Sequence, residues 1–264
     1  MTTQSRPRIG RFNALGVATL VRYETSRWLR LPIGYIVAPV LNSLLLFAVF
    51  RLALPADVGT MGGIPLAAFI VPGLVAMAVL HNAFETTAWS IIDLKIRGTI
   101  VDLLMPPLSS FELLVAFAVN GMARGLAVGA LGLGAMAPFA GLGPVDMIAL
   151  VGFAAGGALA LALAGIIVGI QARKFDHVAT IDAFAVVPLA FLSGSFYAVG
   201  ALPEPWRALT FANPLFHVVD GLRAGLTGAA QGDLGVAGVV VFLAILGLGA
   251  IAWRMLALSP KLRP

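Results

Sequence analysis

An all-α polytopic membrane protein with six membrane-spanning helices is predicted by three observations. Hydrophobic residues make up 60% of the 264-residue chain and charged residues only 11%, against roughly 25% charged in a soluble domain. Several apolar runs reach the length of about 20 residues that a helix needs to cross a bilayer, and the mean hydropathy is +0.99. The basic residues gather in the N-terminal segment, two internal turns and the C-terminal tail, the bias that orients membrane proteins. The absence of cysteine excludes disulfides, thiolate metal sites and iron–sulfur clusters. His81, His177 and His217 are too scattered along the chain to suggest a metal centre on their own. The pI of about 10.2 is explained mostly by membrane topology, so no nucleic-acid partner is expected.

Residues 1–32 carry Arg6, Arg8, Arg11, Arg22, Arg27 and Arg30 against one acid, Glu24. Neither the apolar core nor the cleavage site of a signal peptide follows. From Phe12 to Leu31, Val17, Leu20, Val21, Trp28 and Leu31 fall near one helical face. This predicts a helix lying in the cytoplasmic interface, with Tyr23 and Trp28 at headgroup level; the plainer alternative is a solvated basic leader.

Residues 33–258 read as a single membrane domain. The first span is 33–54, with Pro32 and Pro39 near its entry, where a missing donor is tolerated. Pro55 to Gly63 is a turn-rich external loop. The second span, 64–92, places Asn82, Glu85 and Trp89 on one face by i, i+3, i+7 spacing. A carboxylate in hydrocarbon is costly, so Glu85 should face protein or water. The polar interruption 93–112 follows. In it, Pro106-Pro107 prevents a continuous helix, and Ser109-x-x-Glu112 is a capping box that starts the third span, 113–136.

The third span carries Asn120 and Arg124. At about 1.5 Å per residue, Arg124 lies within a few ångströms of the depth of Glu85. That depth allows them to pair, directly or through Asn120, and the sequence leaves open whether they do; a pair would be either charge-neutralising, positioning two helices, or an interaction along a moving interface or substrate path. The fourth span is 145–170. Gly152-x-x-x-Gly156 and Gly165-x-x-x-Gly169, with Gly125-x-x-x-Gly129 in the third span, permit close helix approach. A basic turn from Gln171 to His177 leads to the fifth span, 179–199. Between 200 and 226 the apolar pieces are short and broken by proline, which predicts re-entrant helices at the outer surface. The sixth span is 234–253, and the tail 259–264 is cytoplasmic. This topology puts both termini with Lys95, Arg97, Arg173, Lys174, Arg254, Lys261 and Arg263 inside, and Arg51, Arg207 and Arg223 outside.

Two enzyme readings find little support. Ser193, Ser195 and His217 are the residue types of a serine hydrolase, but nothing places them at one depth on facing helices. Asp220-Gly-Leu-Arg223 is similar to a fragment of phospholipid-synthase motifs, which need further aspartates for paired metal ions; only Asp233 follows.

The ordered set Arg97-Gly-Thr-Ile-Val-Asp-Leu-Leu104, Pro106-Pro-Leu-Ser109, Ala123-Arg-Gly125, Phe191-Leu-Ser-Gly-Ser-Phe196, Leu202-Pro-x-x-Trp206, Asn213-Pro-Leu215 and Arg223 resembles the membrane subunit of a type-2 ABC exporter. The resemblance covers nearly the whole chain. It is greatest to the short bacterial permeases of the family that includes drug, lipid, polysaccharide and nodulation-factor exporters. It implies an N-terminal connecting helix, a cytoplasmic coupling helix between spans two and three, and two short external re-entrant helices between spans five and six. It implies two permease chains, identical or not, working with two ABC ATPase subunits that bind ATP and Mg.

On this resemblance, Lys95, Arg97, Gly98, Ile100, Asp102, Leu103 and Leu104 form the ATPase-coupling interface, joined by Glu24 from the connecting helix. Asn82, Glu85, Asn120 and Arg124 are the intramembrane polar residues of a path or dimer interface. Ser193, Gly194, Phe196, Pro203, Trp206, Asn213, Pro214 and Arg223 belong to the external region. The chain's lysines, Lys95, Lys174 and Lys261, follow Leu94, Arg173 and Pro260, so none completes a phosphate-binding P-loop. No catalytic residue, metal or cofactor is therefore expected in this chain. The expected function is a permease for a hydrophobic or amphipathic substrate in a prokaryotic cytoplasmic membrane. The alternative is an ion- or proton-coupled secondary transporter, for which Glu85 and Asp182 are the available titratable groups.

Overall fold

In a computed structural model, which describes residues 12–53, 60–99 and 108–258, the side chain of Asn13 accepts a hydrogen bond from the Gly16 amide at 2.9 Å and opens α1, Ala14–Leu29. This is the ordinary chemistry of a helix start. Val17, Leu20, Glu24 and Trp28 are its buried residues, and their spacing puts them on one side. Trp28 is therefore turned inward: its indole N–H donates to Asn120 Oδ1 at 3.0 Å. Tyr23 and Leu31 are exposed; α1 stops at Leu29, so Leu31 no longer follows the buried face.

A π turn, Ile33–Val37, runs into α2, Ala38–Ala53. Its closing bond runs from the Ala38 amide to the Ile33 carbonyl, one residue before Pro39, which has no amide to donate. The same device recurs at Asp182–Val186, where the Val187 amide reaches the Asp182 carbonyl one residue before Pro188. In both places the ladder slips to i→i+5 where proline would interrupt it. Leu41, Leu45, Val49 and Leu52 leave an exposed apolar stripe along α2.

Thr60–Met61 (β1) and Ile64–Pro65 (β2) form a two-residue hairpin with Met61 opposite Ile64. Gly62 and Gly63 have φ of 60° and 83°, the left-handed conformation that this turn requires and glycine supplies. Then comes α3, Leu66–Ile96, the hub of the molecule: Phe69, Val71, Ala76, Ala83, Phe84, Ala88 and Ile92 are all 1% exposed or less. It continues four residues past the predicted end of the second span. Ser109 and Glu112 form the capping box of α4, Ser110–Ala140, which lengthens the predicted third span at both ends. Asp146 caps α5, Met147–Gln171.

Helices α4 and α5 approach α3 closely. A Cβ on Gly125 would stand 2.6 Å from the Val79 carbonyl oxygen, and one on Gly165 would collide with Thr87 Oγ1 and the Phe84 carbonyl. Thr87 Oγ1 crosses the second contact to donate to Ala162 O at 2.8 Å. The glycine pattern thus packs helices within one chain. Gly152 meets nothing within 4 Å.

The segment predicted as the fifth span differs. Its helix comprises α6, Phe175–Ile181, the π turn and α7, Val187–Phe191, and ends before Ser193, where Gly194 turns the chain at φ 70°. Beyond it lie a 3-10 turn, Val199–Ala201, and two short helices, α8, Trp206–Ala212, and α9, Pro214–Thr227. The last helix is α10, Leu234–Leu258. Among the described residues five helical segments are long and apolar enough to cross a membrane: 33–52, 66–96, 110–140, 147–171 and 234–258. The segment 175–191 is shorter than these.

Candidate functional site

Polar side chains concentrate at three levels along α3. The first is at its C-terminal end. Arg27 of α1 reaches across to α3, with Nη2 2.7 Å from Asp93 Oδ2 and Nη1 3.2 Å from Glu24 Oε2. Ser90 Oγ also donates to Glu24. Arg97 Nε donates to Asp93 Oδ1 at 2.7 Å, one helical turn away. The carboxylate of Asp93 raises the pKa of this exposed guanidinium.

Lys95 Nζ donates to Gly169 O and Ile170 O, at 3.2 and 2.7 Å, and to Ala172 O. These carbonyls end α5, the negative end of its dipole, where an ammonium is favourable. Gly98 has φ 74° and its amide returns to Lys95 O at 3.2 Å, the conformation with which helices commonly end at glycine. Glu112 joins this level: it accepts from the Ser109 amide at 2.6 Å and from the amide of Asn13, which holds the start of α1 to the start of α4. Of the residues expected to form the coupling interface, Glu24, Lys95, Arg97 and Gly98 come together here. Glu24 is 2% exposed. Ile100, Asp102, Leu103 and Leu104 lie outside the described residues.

The second level is midway along α3. Arg124 of α4 donates to Asn82 Oδ1 at 2.9 Å, Thr86 Oγ1 at 3.2 Å and Tyr35 O at 3.1 Å. Glu85 Oε2 is 3.7 Å from Arg124 Nη2. The pair is direct and does not run through Asn120, whose Oδ1 is occupied by Trp28 Nε1 and Thr25 Oγ1; Asn82, which accepts from Arg124, gives its own amide N–H to Ala78 O. His81 stands on the other side of Glu85, with Nε2 3.7 Å from Glu85 Oε1 and Nδ1 3.3 Å from Asp182 Oδ1. Two clefts meet at Glu85 and Arg124. One, about 450 Å³, extends past Trp89, Trp28 and Glu24. The other, about 440 Å³, extends past His81, Asn42 and Leu46.

The third level is at the opposite end of the molecule. Arg223 and Asp220 of α9 are 3.4 Å apart, and each side chain is 1% exposed. Asp220 accepts from the amides of Gln231 and Gly232, each at 2.8 Å. Arg223 donates to Gly194 O at 2.7 Å and lies 4.0 Å above the ring of Phe69, a cation–π contact. Asn213 caps α9 through the Leu215 amide and donates to Leu189 O at 2.7 Å. Pro214 occupies the first position of α9, where its missing donor costs nothing.

Phe196 stacks on Phe50, centroids 5.4 Å apart. The Trp206 amide donates to Pro203 O, while the Trp206 side chain is exposed. Ser193 and Ser195 share a hydrogen bond of 2.9 Å, but His217 Nε2 is engaged by Phe211 O at 3.0 Å. No serine–histidine couple forms among these residues. Asp233 caps α10 through the Val236 amide instead of joining Asp220 in a metal site.

Sequence reasoning missed Arg27, Ser90 and Asp93 at the first level, and the His81–Asp182 contact at the second. Asp93 and Arg97 are i, i+4 partners, a signal legible once residues 93–97 are read as helix. The His81–Asp182 contact joins residues about a hundred positions apart, and no local pattern announces it.

These features are those of a polytopic membrane protein with polar clefts between its helices, and the comparison with known families makes it a membrane permease component of an ABC transporter. The chain belongs to the ABC-2 type transporter family, which matches residues 16–227. It is similar to the Inner membrane transport permease YadH of Escherichia coli K12, 29% identical over 240 residues that cover 91% of this chain and 94% of that protein. It is also similar to Nodulation protein J of Sinorhizobium fredii, 26% identical over 216 residues, 77% of this chain and 80% of that one. Nodulation protein J of Rhizobium leguminosarum bv. trifolii is 27% identical over 179 residues, 65% of this chain and 66% of that protein.

Proposed function

We propose that this chain is the membrane-spanning subunit of an ATP-driven exporter in a prokaryotic inner membrane, with both termini cytoplasmic. Two permease chains form the path, and two separate ABC ATPase subunits, which bind ATP and Mg, drive it. The segment 175–191 completes a set of six spans with the five longer helices, and α8 and α9 are the external re-entrant pair. The substrate is hydrophobic or amphipathic, in keeping with clefts that join polar and apolar walls.

The observation that carries this reading is the ion-pair chain Glu24–Arg27–Asp93–Arg97. It ties α1 to the last turns of α3 at the entrance to the loop that connects α3 with α4. Force applied to that loop reaches α1 and α3 together, and Lys95 carries it to α5. The loop 93–112 is the proposed contact with the ATPase, with Arg97 and Asp102 as its charged groups and Ile100, Leu103 and Leu104 as its apolar face.

Affinity purification of the chain from its native host in mild detergent tests this. An ABC ATPase should accompany it, with vanadate-sensitive hydrolysis in the complex. A chain recovered alone under conditions that preserve other transporter complexes would overturn the reading.

A further inference from the structure

Midway along α3, His81 carries a carboxylate against each ring nitrogen: Glu85 at Nε2, 3.7 Å away, and Asp182 at Nδ1, 3.3 Å away. The Asp182 oxygen that faces Nδ1 is buried. The charged groups that act on His81 are Asp182 from the π turn, Glu85 from its own helix and Arg124 from α4. Helix α2 faces the same cleft with Asn42 and Ser43, which carry no charge. Arg124 is already committed to Asn82, Thr86 and the Tyr35 carbonyl.

With a neutral imidazole, two carboxylates face one guanidinium. One further positive charge balances the set, and in an apolar surrounding such a balance matters. A proton on His81 supplies it, donated to carboxylates on both sides. A ligand cation supplies it equally well. The cleft that holds His81 and Glu85 has about 440 Å³ and is walled by Leu46, Leu74, Met77, Val187 and Ala190, a volume and lining suited to a small organic molecule. A metal ion fits less well. One ligand atom each from His81, Glu85 and Asp182 does lie within 4.8 Å of the others, but the carboxylates make their close approaches to opposite ring nitrogens, of which a metal takes one, and the Arg124 guanidinium stands beside Glu85.

We propose that this cleft binds an amphipathic monocation, an ammonium, phosphonium or guanidinium group with an apolar body, whose charge takes the place of the proton on His81. This rests on the permease reading in treating the cleft as part of the substrate path.

The test uses the full chain in detergent without ATPase or nucleotide, so its failure is distinct from failure to recover an ATPase. Tetraphenylphosphonium is titrated calorimetrically at pH 8, with triphenylphosphine oxide as the neutral comparator of similar shape. The cation should bind about tenfold more tightly than the neutral compound, as removal of one nearby charge pairing implies. Its affinity should fall about tenfold in Asp182→Asn. It should fall similarly in the unaltered protein at pH 5.5, where a proton on His81 competes with the ligand's charge. Equal affinity for the two compounds overturns the proposal, as does an unchanged affinity in a monodisperse Asp182→Asn protein. Should that variant fail to fold, the pH comparison on the unaltered chain decides. Zinc binding that is lost in Asp182→Asn, with no binding of tetraphenylphosphonium, also overturns it, in favour of a metal site.

Discussion

Arg223 and Arg124 are both buried guanidinium groups within helices, each beside a carboxylate, and their surroundings differ in one respect. Arg223 is enclosed. Its partner Asp220 is 1% exposed and is bound by two amides of the segment that follows α9, while Arg223 itself holds Gly194 O. Arg124 is enclosed as well, but its partner Glu85 has 28% of its side chain exposed and borders both clefts. A charge pair whose two members are both held by backbone groups of its own fold braces that fold. One whose carboxylate opens onto a cleft remains available to something that enters.

This contrast predicts unequal costs. Arg223→Met strands Asp220 in the interior, and breaking a fully buried pair costs about 3–5 kcal/mol. Arg124→Met leaves Glu85 within reach of water and removes hydrogen bonds to neutral partners, a loss of about 2 kcal/mol. Thermal unfolding of the purified chain in detergent measures both. Equal losses would break the distinction between the two sites.

The next effect concerns the helices that carry them. Gly165→Val inserts a branched side chain where even a Cβ meets Thr87 and the Phe84 carbonyl, and overpacking of this kind costs about 1–3 kcal/mol. Gly152→Val, on the same helix but facing open space, should leave the melting temperature unchanged. If both variants melt alike, the contact between α3 and α5 is looser than described.

Much of this arrangement was legible in the residues. The capping box at Ser109 and the four longest helices followed from patterns that operate within a few positions, where hydrophobic periodicity and side-chain capping act directly. Rise per residue put Glu85 and Arg124 at similar depth, but it left open whether they pair, directly or through Asn120; the 3.7 Å separation comes from the structure. What was not legible depends on contacts between distant segments. Asp93 and Lys95 look like the start of a loop because they are charged. They remain helical because Arg27 and Arg97 hold the first and the end of α5 holds the second. The acceptor for the Trp28 indole is Asn120, ninety-two residues away, which no local pattern announces. The fifth predicted span was drawn too far because Phe191, Leu192 and Phe196 continue its apolar run, whereas Gly194 turns the chain out of it.

A smaller effect is expected at the junction of α1 and α4. Ser109→Ala removes one half of the capping box, a change worth about 1 kcal/mol at a helix start. Glu112 still accepts from the Asn13 amide, so α1 should stay docked. Hydrogen exchange should speed in the first turn of α4 and stay slow in α1. Loss of protection in both would show that the serine, not the glutamate, couples the two helices.

Arg97→Gln should change stability least of all and so separates structure from coupling. The Arg97 side chain is 69% exposed, and its partner Asp93 is held independently by Arg27 at 2.7 Å. Removing Arg97 therefore leaves no charge unpaired, and exposed pairs of this type contribute little. The melting temperature should not move. If Arg97 instead meets an ATPase, ATP-dependent transport in the assembled complex should fall while the chain keeps its fold. A lower melting temperature would make Arg97 a brace like Arg223. An unchanged melting temperature with unchanged transport would move the ATPase contact away from the end of α3 and into the residues that follow it.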